Sequence, residues 1–239
     1  MTLTVTVNAG SLPAPQVVPP ATVVQRARQG GSAGAALALA YTDPIMTIDQ
    51  RQLQYRQRQT PGGLEFSFDT GTLTLTLRQE LLIADSLSAC ARGRWLTHEN
   101  GHARDNQNVM SRMDAAIRAD PTLQPIFIGQ QWYPRSTFQA TGQAIFNAIS
   151  AIFRRLTAAA VVARDTRAEY MRVHRAVLAN CPEPYVYEVN PGDTLGQIAE
   201  FLYGRASAWE TIHRANQTTI GSNPNLLRPG QRLTIPRTP

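Results

Sequence analysis

Hydrophobic and polar positions change rhythm several times along this chain. Met1-Thr-Leu-Thr-Val-Thr-Val7 alternates with a period of two, the pattern of a strand with one buried face. Residues 9–22 sustain neither that period nor 3.6, and their prolines and small residues predict an arm or linker. Residues 35–60 are mixed and polar, with Asp43-Pro44 read as a turn. Leu64–Phe68 and Thr72–Leu77 alternate again on either side of Asp-Thr-Gly, which predicts a β-hairpin.

From Asp85 to Ala119 there is no proline, and Leu87, Trp95, Val109, Met113 and Ile117 recur at helical spacing until Asp120-Pro121 stops the pattern. This predicts one long helix, with Gly93 as a possible kink. Residues 136–180 form a second helical region, broken once, and Cys181-Pro-Glu-Pro184 ends it. Beyond lie a strand at 185–189, helices at 193–203 and 207–216, and a strand at 232–235, a β-α-α-β unit too small to be more than marginally stable alone. The expected fold is α+β: a helical domain with a small β-hairpin over 1–181, its residues 1–22 a strand and flexible arm, then a βααβ domain over 182–239.

Composition narrows the classes of function. With 239 residues and 43% hydrophobic content the chain can fill a core. Its net charge of +6 comes from 23 basic residues, all arginine, scattered without interleaved aromatics, so no nucleic-acid footprint is visible. The start lacks the basic and apolar regions of a signal peptide. The apolar stretch in 136–180 is interrupted by Arg154-Arg155 and Arg164, so membrane insertion is not expected. Cys90 and Cys181 are too far apart for a C-x-x-C site. They read as two buried thiols or as one long-range disulfide.

The chemistry concentrates in Thr97-His98-Glu99-Asn100-Gly101-His102. Two of the chain's four histidines stand at i and i+4 within a predicted helix, so both imidazoles reach one Zn²⁺ from one face. Glu99, beside the first ligand, is the candidate base for a water molecule that the ion acidifies.

Residues 72–120 resemble the zincin metallopeptidases and, more distantly, small bacterial proteins with an uncharacterised zinc-protease domain. The resemblance implies peptide hydrolysis with Zn²⁺ on His98 and His102, and an edge strand, here Thr72–Leu77, that holds an extended protein or peptide substrate. The metzincin extension is absent, because Asp105 stands where that group has glycine and Asn108 where it has a third ligand. Gluzincin-type enzymes take the third ligand from a glutamate on a later helix. At about 100° per residue from Asp165, Glu169 falls at about +40°, inside a stripe of Val161, Val162, Val173, Ala176 and Val177. A carboxylate there is costly unless paired or metal-bound, which makes Glu169 the candidate ligand and Asp165 its outer partner or substitute. An ion pair of Glu169 with Arg164, Arg167 or Arg172 is the plainer alternative. His174, near 180° with Tyr170 and Cys181, is a rival ligand that a Cys90–Cys181 disulfide would turn towards the motif.

The segments 187–199, 209–216 and 223–236 resemble a LysM module from end to end. The resemblance implies a shallow groove for N-acetylglucosamine (GlcNAc) polymers, peptidoglycan or chitin, built here from Gly192, Asp193, Thr194 and Leu195 together with Asn225 and Leu226. Glycine and Asp-Thr also suit a turn and a helix cap, whatever the groove binds.

Together these readings predict a zinc peptidase directed to a cell-wall polymer. The alternative is a structural baseplate or tail adaptor of a phage or contractile injection particle, with a non-catalytic zinc site and with LysM docked on another subunit. Synthesis in the cytoplasm, followed by carriage in such a particle or release by lysis, is the expected route to the wall.

Overall fold

The computed structural model describes residues 3–32, 38–128 and 131–237. Its elements run β1 (Leu3–Asn8), β2 (Pro15–Val18), α1 (Pro20–Gln29), β3 (Ala40–Asp49), β4 (Tyr55–Thr60), β5 (Gly63–Phe68), β6 (Gly71–Ala84), α2 (Ala89–Ala119), α3 (Gln124–Ile128), β7 (Tyr133–Pro134), α4 (Arg135–Arg164), α5 (Arg167–Asn180), β8 (Tyr185–Glu188), α6 (Leu195–Tyr203), α7 (Trp209–Ala215), α8 (Gln217–Ile220) and β9 (Arg232–Ile235). Helix takes 49% and strand 24%, more sheet than one hairpin supplies. Two compact units result: Met1–Ala14, Thr42–Glu80 and Gly101–Val161 form the first, and Pro15–Tyr41, Leu81–Asn100 and Val162–Pro239 the second. The strands β3 and β6 and the helices α2 and α4 contribute residues to both.

In the first unit β1 runs parallel to β6, with Val5 opposite Leu73 and Val7 opposite Leu75. The alternation of β6 buries Leu73, Leu75 and Leu77 in a cluster with Val109, Met110, Met113 and Ile117 of α2 and Ile145, Ile149, Ile152 and Phe153 of α4. Each such side chain contributes about 1.5–3 kcal/mol on burial. The expected hairpin is re-paired. β5 pairs antiparallel with β4, not β6, through a turn in which Thr60 Oγ1 donates to Gly63 O at 2.9 Å. Gly63 has a φ of +116°, which glycine supplies at no steric cost. The Asp69–Gly71 segment instead passes from one sheet to the other. β6 is paired by β1, β2 and β3, so Thr72–Leu77 is not an edge strand.

Three further expectations are corrected. Residues 9–22 are not an arm: they hold β2, parallel to Leu81–Ala84, and the start of α1. Pro15 opens the strand and Pro20 the helix, positions where a missing N–H is tolerated, so these prolines mark element starts. Asp43-Pro44 lies inside the ten-residue β3 and is no turn. Finally, Arg135–Val162 is long and apolar enough to cross a membrane, with a mean hydropathy of 1.5 over 18 residues despite its arginines. Ile145, Ile149, Ile152 and Phe153 of this helix are buried in the core, but only 28% of the 18-residue window is. The alternating start agrees with β1 from Leu3; Met1 and Thr2 lie outside the described residues.

The second unit packs α1, Leu81–Ala84, the start of α2, α5 and everything from β8 onward around one cluster that includes Trp95, Tyr170, Val177, Tyr185, Ile198, Phe201 and Leu233. α5 begins after a break at Asp165-Thr166, where Thr166 caps the helix by accepting from Glu169 N at 3.1 Å. Cys90 and Cys181 are joined by a disulfide, so the two-thiol reading is replaced by the long-range pairing.

Candidate functional site

The motif lies in the middle of α2, a continuous helix, so His98, Glu99 and His102 share one face. All three are buried, and their ligand atoms lie within 4.8 Å of one another. Beside His102, Gln79 Nε2 donates to Ala103 O at 3.2 Å, and Asn106 Nδ2 donates to Gln79 Oε1 at 2.9 Å. These bonds fix the helix to β6 just past the second histidine. Asn106 stands four residues after His102, a spacing that places it on the motif face and that could have been read from the sequence; Gln79 carried no such signal.

The break before α5 decides which acid approaches His98. Asp165, in the break, is buried and sets Oδ1 3.9 Å from His98 Nε2, the ring edge that Glu99 Oε1 also faces at 4.0 Å. Glu169 meets the other edge, with Oε1 3.5 Å from Nδ1. It is also held by Arg172, whose Nε and Nη2 donate at 2.8 and 2.6 Å. The Arg172 bonds lower the Glu169 pKa, against a smaller opposing effect of burial, with the His98 side chain adding to the shift. Glu169 thus makes the ion pair with Arg172 and also lies beside the motif histidine, on the ring edge away from Glu99 and Asp165.

Tyr170, fully buried, donates its hydroxyl to Asp165 Oδ1 at 3.2 Å and lies 3.3 Å from Ser32 Oγ. Burial raises its pKa far above the ordinary tyrosine value, and the charges of Asp165 and Glu99 push the same way. His174 is buried with its ring against Trp95 at 5.1 Å and Phe201 at 4.8 Å, and its Nδ1 pairs with the Tyr185 hydroxyl. The disulfide does turn this face of α5 towards α2, but there His174 packs against Trp95.

The donor set fits Zn²⁺ by its chemistry, because two imidazoles and a carboxylate are borderline-soft and hard donors of the kind that ion takes.

In the C-terminal part, β8 and β9 pair antiparallel with Tyr187 opposite Leu233. The turn Asn190–Asp193 carries Pro191 followed by Gly192 at φ +86°, the arrangement of a type II turn. Asp193 Oδ2 accepts from Tyr187 Oη at 2.9 Å and from Asn190 N at 2.8 Å. Thr194 forms a capping box with Gln197. Leu195 is buried in the core, so its side chain supports the loop from below. On the other loop Asn225 is exposed, its N–H donating to Asn223 Oδ1 at 3.0 Å, and Leu226 is 60% exposed. A separate cavity of about 420 Å³ lies between α1 and β8, lined by Val24, Arg28, His174, Tyr185 and Pro229 among others. None of the six expected sugar contacts and none of the motif residues lines it.

The order and pairing of these C-terminal elements agree with a family match: the LysM domain model covers residues 187–236. Residues 187–236 are a LysM domain. LysM domains point to binding of peptidoglycan or related GlcNAc polymers. An uncharacterized protein of Deinococcus radiodurans is 47% identical over 51 residues, which are 21% of this chain and 19% of the relative. The chain thus spans about a fifth of that relative's length. No solved structure matches the chain. The LysM match does not extend to the H-E-x-x-H helix.

Proposed function

We propose that this chain is a zinc-dependent peptide hydrolase that its LysM domain anchors to peptidoglycan or another GlcNAc polymer. The reading rests above all on the convergence of a buried Glu99 and a buried Asp165 on the Nε2 edge of His98. Two carboxylates and an imidazole that converge in this way present a divalent cation with the donor types that Zn²⁺ takes.

In this reading His98, His102 and Asp165 hold the ion, and Glu169 orients His98 from Nδ1, the outer role that a carboxylate commonly takes behind a metal-bound imidazole. A zinc ion there would supply Lewis-acid polarisation of the scissile carbonyl and acidify a water molecule. Glu99 would act as the base and proton carrier at this site, accepting a proton at Oε1 and passing it to the departing amine nitrogen. The Tyr170 hydroxyl holds Asp165 by donating to Oδ1. The Cys90–Cys181 disulfide favours action outside the reducing cytoplasm, after carriage in a particle or release by lysis.

Glu99→Gln is the test. It should keep about one zinc per chain yet lower hydrolysis of casein or cross-linked muropeptides by at least about 10²–10⁴-fold, the worth of general-base catalysis. His98→Ala should lose metal and activity together. A wild-type chain that binds zinc and cleaves none of these substrates would favour the structural adaptor.

A further inference from the structure

The disulfide has a third neighbour. The Cys90 and Cys181 sulfurs and a carboxylate oxygen of Glu183 all lie within 4.8 Å of one another, and Glu183 Oε2 is buried without a hydrogen-bond partner. A buried carboxylate oxygen with no donor is costly, and a disulfide offers no proton to relieve it. The position is not accidental in the chain, because Glu183 stands between Pro182 and Pro184. Each proline ring fixes its own φ, and Pro184 disfavours the helical region for Glu183, which restricts the segment that carries the carboxylate two residues beyond Cys181.

Reduction changes the donor set. Two thiolates and a carboxylate suit a borderline-soft divalent cation, and three protein ligands leave a fourth position to water. The Cα atoms of the two cysteines are 5.5 Å apart, so both sulfurs reach a common ion without rearrangement of either helix end. We propose that reduced Cys90 and Cys181, together with Glu183, form a second metal site, for Zn²⁺ or a similar ion, that is mutually exclusive with the disulfide and independent of His98 and His102.

The exchange balances. Two equivalents of a small thiol cleave the S–S bond, giving two cysteine thiols and one small-molecule disulfide. Binding of the ion then displaces two protons from the thiols. A small-molecule disulfide reverses the sequence by accepting the two electrons, and the ion leaves as the S–S bond forms. The ion thus occupies in the reducing cytoplasm the place that the disulfide occupies outside it.

Cobalt titration of the full chain tests this, because thiolate-to-cobalt charge-transfer absorption in the near ultraviolet reports sulfur ligation and is silent for imidazole and carboxylate. The chain reduced with dithiothreitol, freed of it under nitrogen and titrated with Co²⁺ should develop this band to a limit of one equivalent. The oxidised chain should not. Zn²⁺ should discharge the band, oxidised glutathione should release the ion, and His98→Ala should leave the band in place. Glu183→Gln should weaken Co²⁺ binding by at least about tenfold, the smallest loss usual even for outer partners of metal ligands. No band in the reduced chain overturns the proposal, whether or not that chain keeps its near-ultraviolet circular dichroism. So does a band that Cys90→Ser leaves unchanged, or an affinity that Glu183→Gln does not alter.

Discussion

Asp165 Oδ1 stands 3.9 Å from His98 Nε2. Two donors about 2.1 Å from a shared tetrahedral ion are about 3.4 Å apart, so a small inward movement suffices for both to bind it. Asp165→Asn should therefore weaken zinc binding by more than 100-fold, and Glu169→Gln by roughly 10–100-fold, the range usual for outer partners. Competition against a chromogenic chelator ranks the two. The reverse order would return the ligand role to Glu169.

The two LysM loops should answer differently to substitution. Asp193→Asn weakens the bonds from Tyr187 Oη and Asn190 N, so it should destabilise the domain by about 1–3 kcal/mol as well as reduce polymer binding. Leu226→Ser removes an exposed side chain and should reduce pull-down with insoluble peptidoglycan or chitin while the melting temperature stays within a degree or two. Unchanged retention of the Leu226 variant would remove that loop from the groove.

Alkali should unfold the second unit early. Burial pushes Tyr203 up to about 12, its hydroxyl donating to Pro236 O at 2.5 Å, and burial raises Tyr185 and Tyr187 as well. In the unfolded chain these hydroxyls ionise near their usual pKa of about 10. The folded state's preference for neutral tyrosine is complete below that pH and is lost as pH rises through about 12. Melting temperatures measured from pH 9 to 12 should fall steeply above pH 10, and Tyr203→Phe should flatten the fall.

The disulfide closes a sequence separation of 91 residues. The chain-entropy estimate for a loop of that size is about 4–5 kcal/mol, and native disulfides commonly yield about 2–5. Cys90→Ala with Cys181→Ala should accordingly lower the melting temperature by roughly 5–15 °C in differential scanning calorimetry. A change of less than about 2 °C would mean that the packing of Trp95 against Tyr170 and His174 already holds α2 to α5.

Local rhythm made the long helices, the broken one and the β-α-α-β end legible, because their periods, caps and prolines are short-range signals. Pairing was not. Leu64–Phe68 and Thr72–Leu77 both alternate, and alternation says which face is buried without saying which strand lies alongside. The helical wheel for Glu169 misjudged its surroundings for a related reason: it ran through Asp165-Thr166, where the helix stops, and so aligned α5 with Val162, which is 74% exposed. The motif histidines needed no tertiary information. The acid facing His98 lies in a helix break, and its approach depends on long-range packing around Trp95 and Tyr170 that no sequence period encodes.

Only Pro182, Glu183 and Pro184 separate Cys181 from Tyr185, about 10 Å of chain even when extended. Arg175 of α5 closes the gap further, its guanidinium donating to the carbonyls of Glu200 and Phe201 at the end of α6. The LysM domain is consequently no tethered hook that lets its cargo swing through a sphere of solution. Its loops belong to the same compact unit as His98, Glu99 and Asp165. On the proposed reading, substrate choice would become a matter of spacing along the polymer: a chain that holds a glycan through these loops would reach bonds at one distance from the grip in preference to nearer or farther ones.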